Sequence, residues 1–173
     1  MLKKIVIYVL VVVVLIAGGA IVFGLMNPSV SYEASVEINK PREVVWNYFQ
    51  DESKMGEWLQ GFQKIEIISG KKNEVGSKYK MTFTDQGQEV VMIETVKEFN
   101  APEKFAMRLE HEIMSSDTEI TLTEKDGKTT LTQKDNAVGS NILWRIMFAA
   151  MRSGFIDRSQ ENLNKLKENV EKL

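Results

Sequence analysis

His111 is the only histidine in the sequence, and there is no cysteine. Thiolate nucleophiles, disulfides and cysteine metal sites are therefore excluded, as are multi-histidine metal centres. His111 stands between Glu110 and Glu112, but neighbours on a strand point to opposite faces, so the three cannot hold one metal ion. Turned inward, His111 could orient a ligand or act as a general base. The plainer reading is a strand-end histidine satisfied by backbone or water. Glu94 follows the apolar run Val90-Val91-Met92-Ile93. Buried, its carboxyl would have a raised pKa; exposure at an edge is the simpler expectation. Arg145, Arg152 and Asp157 recur near the C-terminus, where one or two could enter a cavity, although a solvated or salt-bridged face is the default. Arg108 alternates with Met107 and Leu109 and should face away from them. No phosphate-cradling glycine loop and no nucleophile-elbow serine occur. No cofactor and no metal are implied.

These residues need elements to position them. The 173 residues suit one domain with an appendage. The net charge of −2 hides an asymmetry: residues 1–27 carry only Lys3 and Lys4, so the remaining 146 residues have net charge −4. An acidic body argues against nucleic-acid binding. From Ile5 to Met26 the chain is uncharged, and 22 residues as a helix span about 33 Å, enough to cross a bilayer. The two lysines before the span place the N-terminus in the cytoplasm and the body outside. A cleaved signal peptide, ending near Gly18-Gly19-Ala20, is the rival reading. The expected division is residues 1–27 as anchor, 28–30 as linker and 31–173 as the soluble domain.

Residues 31–38 alternate strictly, with Tyr32, Ala34, Val36 and Ile38 on one face of a half-buried strand. Pro41 opens a short helix carrying Val44, Val45, Trp46, Tyr48 and Phe49. A second covers residues 53–59. Six strands follow: residues 62–69, 78–84 with Tyr79, Met81 and Phe83 inward, 88–99 with residues 90–93 buried on both faces, 104–111 with Phe105, Met107, Leu109 and His111 on one face, 118–124 and 128–136. Asp126-Gly127 is a type I′ hairpin signal. Residues 141–173 read as one long helix capped by Ser140, with a possible kink at Gly154.

That order is the one found in a helix-grip fold, an α+β architecture in which a curved antiparallel sheet wraps a long C-terminal helix. The segment from Val36 through Pro41 to Trp46, Tyr48 and Phe49 resembles the opening signature of the SRPBCC (START-like, polyketide cyclase/dehydrase and lipid transport) superfamily. Lys54-Met-Gly-Glu-Trp58 is similar to its second short helix, and Asn162-Leu163 through Leu166-Lys167 to its C-terminal ending. The resemblance covers residues 31–173. It implies a hydrophobic cavity between sheet and helix, and with it a lipid or other hydrophobic small molecule as partner, bound without catalysis. Nine methionines fit an adaptable lining, although ordinary core packing is their usual task. The expected ligand-binding residues are Trp58, Phe83, Met92, Met107, Leu109, Met147, Met151 and Phe155, with Trp58 and the loop near Gly61 at the entrance. Trp46 and Trp58 could form the cavity mouth, but core anchors are the plainer reading, and Trp144 reads as either a membrane-interface or a buried residue. The alternatives are a cyclase- or dehydratase-like enzyme using His111, and an interaction module with a closed core.

Overall fold

A computed structural model describes residues 2–173. The apolar N-terminal segment is one helix, α1 (Leu2–Met26), closed by the Asn27 side-chain amide donating to the Phe23 carbonyl at 2.8 Å. It is long and apolar enough to cross a membrane, a property shared by signal sequences near an N-terminus. After residues 27–29 the chain enters β1 (Val30–Ile38), then α2 (Arg42–Phe49) and the single turn α3 (Met55–Trp58). Six strands follow: β2 (Phe62–Ser69), β3 (Lys78–Asp85), β4 (Gln88–Asn100), β5 (Lys104–His111), β6 (Met114–Lys125) and β7 (Lys128–Gly139). The chain ends with α4 (Ile142–Ala150) and α5 (Arg152–Glu171).

All seven strands form one sheet in the order β1-β7-β6-β5-β4-β3-β2, every neighbour antiparallel. Two-residue hairpins set the register. Gln86-Gly87 and Asp126-Gly127 both have positive φ, the type I′ geometry that matches the sheet's right-handed twist. Registration aligns whole rows of side chains on the inner face. One row runs Val30, Ala137, Ser116, Leu109, Glu94, Tyr79 and Ile67 from β1 across to β2. The next runs Tyr32, Asp135, Thr118, Met107 and Val96.

α5 covers this face. Its buried residues Ser159, Leu163, Leu166 and Val170 are spaced four, three and four apart, which is one helical stripe. The C-terminal half of the stripe plugs the core against Ile38, Leu122, Leu131, Val45 and Trp46. The N-terminal half, with Phe155, Ser159 and Asn162, stands over open space instead. This is a helix-grip α+β fold.

Several local expectations change. Residues 141–173 are two helices, broken at Met151 (φ −98°, ψ 14°) and not at Gly154, which lies inside α5. Packing imposes the break: α4 lies on α1 and β7 while α5 follows β1, and Arg152 at the joint donates to the Ser31 carbonyl at 3.0 Å. The cap of α4 is Asn141, whose Oδ1 accepts from the Trp144 amide at 3.2 Å; Ser140 instead donates its amide to Ile113. In β4, residues 90–93 are only half-buried, and the buried trio is Glu94, Thr95 and Val96, because open space lies inside the sheet beside Val90 and Met92. The second short helix contracts to Met55–Trp58, and β6 and β7 extend beyond the expected ends.

Candidate functional site: an internal cavity with a buried carboxylate

The inner face of the sheet, α3 and the N-terminal half of α5 line an internal cavity of about 380 Å³ that is partly open to solvent. Its walls are mostly apolar. Met81, Phe83, Val90, Met92, Phe105, Met107, Leu109 and Ile120 project from strands, and Phe155 closes it from α5. The volume lies within the range of small-ligand sites.

Of the expected ligand-binding residues, Trp58, Phe83, Met92, Met107, Leu109 and Phe155 line this cavity. Met147 and Met151 do not. They lie at 38% and 55% exposure on α4 and at the α4–α5 joint, displaced from the cavity by the helix break. Trp58 is buried and tilted against Phe49 at 5.6 Å. Trp46 is a core residue packed on Phe49 and Phe99. Trp144 begins an aromatic series that passes through Phe148 and Phe155 to Tyr32, the last pair stacked at 5.8 Å. His111 faces the cavity, and its Nδ1 accepts a long hydrogen bond of 3.4 Å from the Ile113 amide.

The charged candidates separate by face. Arg108 points outward to Asp117 at 3.0 Å, as its alternation requires. Arg145 and Arg152 cap backbone carbonyls at Gly139 and Ser31. Arg158, not singled out by sequence, sits at the cavity rim, 3.7 Å from Asp85 and donating to the Gln60 carbonyl at 3.3 Å. Gln60 in turn donates its amide to Asn162 at 3.1 Å. These contacts fasten α5 to the Gly61 loop and the β3–β4 turn. Gly61 has φ +78°, and its carbonyl accepts from the Thr84 amide at 2.8 Å, a conformation and closeness that favour glycine.

Two carboxyl groups lie inside. Glu94 is only 6% exposed, and burial alone pushes its pKa up to about 7. The edge exposure expected of it is therefore wrong: β4 is the third strand from the β2 edge, and Glu94 faces inward between Tyr79 and Leu109. Asp135 of β7 is buried too, accepting from Thr118 Oγ1 at 2.6 Å and from Gln133 Nε2 at 2.8 Å. Burial raises its pKa, and those two hydrogen bonds oppose the rise. Tyr32, beside Asp135, is raised mainly by burial and then by that carboxylate's charge. Asp135 escaped the sequence reading because the inward phase of β7 is mixed, with Thr129, Gln133 and Asp135 set among Leu131 and Ala137. Two further polar atoms, Ser116 Oγ and Trp58 Nε1, are buried among the lining residues without a hydrogen-bond partner. Among the described residues no cluster of three potential ligands could hold a metal ion.

Comparison with solved structures shows the same fold. A protein of Chromobacterium violaceum is 20% identical, superposes with a TM-score of 0.67, and is matched over 82% of this chain and 98% of its own. The Zhui aromatase/cyclase of a Streptomyces species is 16% identical with a TM-score of 0.67, over 83% and 94%. A conserved protein of Geobacillus kaustophilus is 19% identical with a TM-score of 0.64, over 82% and 95%. No curated protein matches the chain in sequence. The family model for polyketide cyclase/dehydrase and lipid transport proteins matches residues 29–171. That match spans the whole sheet and both C-terminal helices, and the chain belongs to the polyketide cyclase/dehydrase and lipid transport family.

Proposed function

We propose that the protein is a membrane-anchored helix-grip domain that binds a hydrophobic small molecule or lipid in its internal cavity, without catalysis. The observation that carries this reading is the partly open, methionine- and phenylalanine-lined space of about 380 Å³ between the sheet and α5. Affinity comes from removing ligand surface from water, about 25 cal/mol per Å² of apolar area before the costs of association. Trp58, Phe83, Met92, Met107, Leu109 and Phe155 are the contact residues. α1 is the anchor, and Lys3 and Lys4 at its start orient the N-terminus towards the cytoplasm and the body outside.

Native mass spectrometry of the full chain released from lipid nanodiscs tests the binding reading. A stoichiometric apolar molecule is expected on the wild type and absent from Met107→Trp, which fills the cavity. A wild type that stays empty after incubation with membrane extract contradicts it. A second reading, acid–base chemistry on a bound substrate, draws on the position of His111, on the same face as Leu109 and one diagonal step from Glu94. Under the binding reading His111→Ala retains the ligand unchanged; under the second it accumulates ligand that the wild type converts.

A further inference from the structure

We infer that the ligand carries a basic nitrogen that pairs with the Glu94 carboxylate, so that the protein selects amphiphilic amines over neutral or anionic amphiphiles. The inference rests on the ligand-binding reading above and names the class of ligand.

Glu94 is the inward carboxyl group of the cavity to which no protein group donates. Among the described residues no hydrogen bond to it is formed, and burial is the sole influence on its ionisation. Asp135 differs, because Thr118 and Gln133 already donate to it. The cations nearby are also committed. Lys72, which borders a small notch of about 30 Å³ next to Glu94, is held by Glu52 at 2.8 Å. Arg158 is held at the rim by Asp85 and Gln60.

A buried carboxylate without a partner is costly, and a ligand that supplies the missing charge and donor relieves that cost. An ammonium group does both. A neutral hydroxyl supplies only the donor, and a fatty acid brings a like charge into a low-dielectric space that already holds Asp135. Ser116 Oγ lies in the same cross-strand row, two strands from Glu94, about 10 Å along the sheet. It offers a second unpartnered atom to a polar group on the ligand. Between the two stands Leu109, so the geometry suits an apolar body with separated polar points.

The test is a competition. The full chain in phosphatidylcholine nanodiscs is incubated with equal amounts of dodecylamine, dodecanol and dodecanoate, and the retained probe is identified by native mass spectrometry. The wild type is expected to retain dodecylamine over dodecanol by about tenfold or more, the gain of a charge-assisted hydrogen bond. Glu94→Gln should remove most of that preference and Glu94→Asp should keep part of it. Partition into the bilayer is common to all three proteins and cancels between them. Equal retention of the amine and the alcohol by the wild type, stronger retention of dodecanoate, or an unchanged ratio in Glu94→Gln overturns the inference. Where Glu94→Gln does not fold, the comparison of Glu94→Asp with the wild type decides: a reduced amine preference supports the inference and an unchanged ratio overturns it. Retention of dodecanol without preference for the amine sinks this inference and leaves the cavity reading standing, whereas retention of no probe removes both.

Discussion

Replacing Glu94 by glutamine should change how stability depends on pH, by an amount that follows from its burial. The glutamate is pushed from its ordinary value of 4.5 up to about 7, while in the unfolded chain it titrates at the ordinary value. Below pH 4.5 the carboxyl is protonated in both states and contributes no difference. Between pH 4.5 and 7 the folded protein holds a proton that the unfolded chain has released, so stability falls as the pH rises. Above 7 both states are ionised and the loss is complete, about 3 kcal/mol at about 1.4 kcal/mol per pH unit. Glutamine does not titrate. The stability of Glu94→Gln relative to the wild type should therefore rise by about 3 kcal/mol between pH 4.5 and pH 8, whatever constant offset the amide itself introduces. Asp135 and every other titrating group are common to both proteins and cancel to first order. The assay is urea unfolding of the full chain in nanodiscs at a series of pH values, without added amine. Trp46, Trp58 and Trp144 report it, all of them in the body. Parallel pH profiles for the two proteins would falsify the placement of Glu94 in a water-poor interior.

Three further outcomes follow from the packing. Leu163→Ala, at 1% exposure in the core stripe of α5, should cost about 2–5 kcal/mol in the same urea assay; a loss below about 1 kcal/mol would mean that the stripe is not packed as described. Asn141→Ala removes the side-chain acceptor for the Trp144 amide and should destabilise α4 by about 1 kcal/mol, read as faster amide exchange confined to residues 142–150. At Gly24 a Cβ would stand 2.6 Å from Ile146 Cγ1 and 3.3 Å from the Ile142 carbonyl. Gly24→Leu should therefore part α1 from α4 and raise exchange in α4 without touching β6 or β7; unchanged exchange in α4 would contradict the close crossing.

The strands were the most legible part of the fold, for a physical reason. Each of residues 31–38, 78–84 and 104–111 alternates because one face meets the interior and the other meets water, and the glycine turns set the pairing. The cavity walls contributed by β3 and β5 were legible for the same reason: Phe83, Met107 and Leu109 all lie in the inward phase, whereas residues 90–93 of β4 read as buried on both faces. The C-terminal helices were not. No proline or glycine stands at Met151, so the break between α4 and α5 comes from α4 meeting α1, a contact invisible to local periodicity. That is why Met147 and Met151, which fit a continuous helical stripe, lie outside the cavity. Glu94 and Asp135 were obscured differently. An acid reads as exposed because most acids are, whether it follows an apolar run as Glu94 does or lies in a polar stretch as Asp135 does, and only the register of the sheet shows these two turned inward.

The crossing of α1 and α4 also has a mechanical side. Only residues 27–29 join α1 to β1, a connection no longer than about 10 Å when extended. α4 lies against α1 at Gly24, and Arg152 pins the start of α5 to the root of β1. The body thus rides on α1 as on a rigid strut with a brace, not as a float on a string. Any tilt of α1 is passed on as a rotation of the whole sheet, and the height and bearing of the cavity entrance relative to the strut are fixed. With no native cysteine to interfere, a pair of spin labels, one on α1 and one on β6, should give a single narrow distance distribution. A broad one would mean that the brace does not hold.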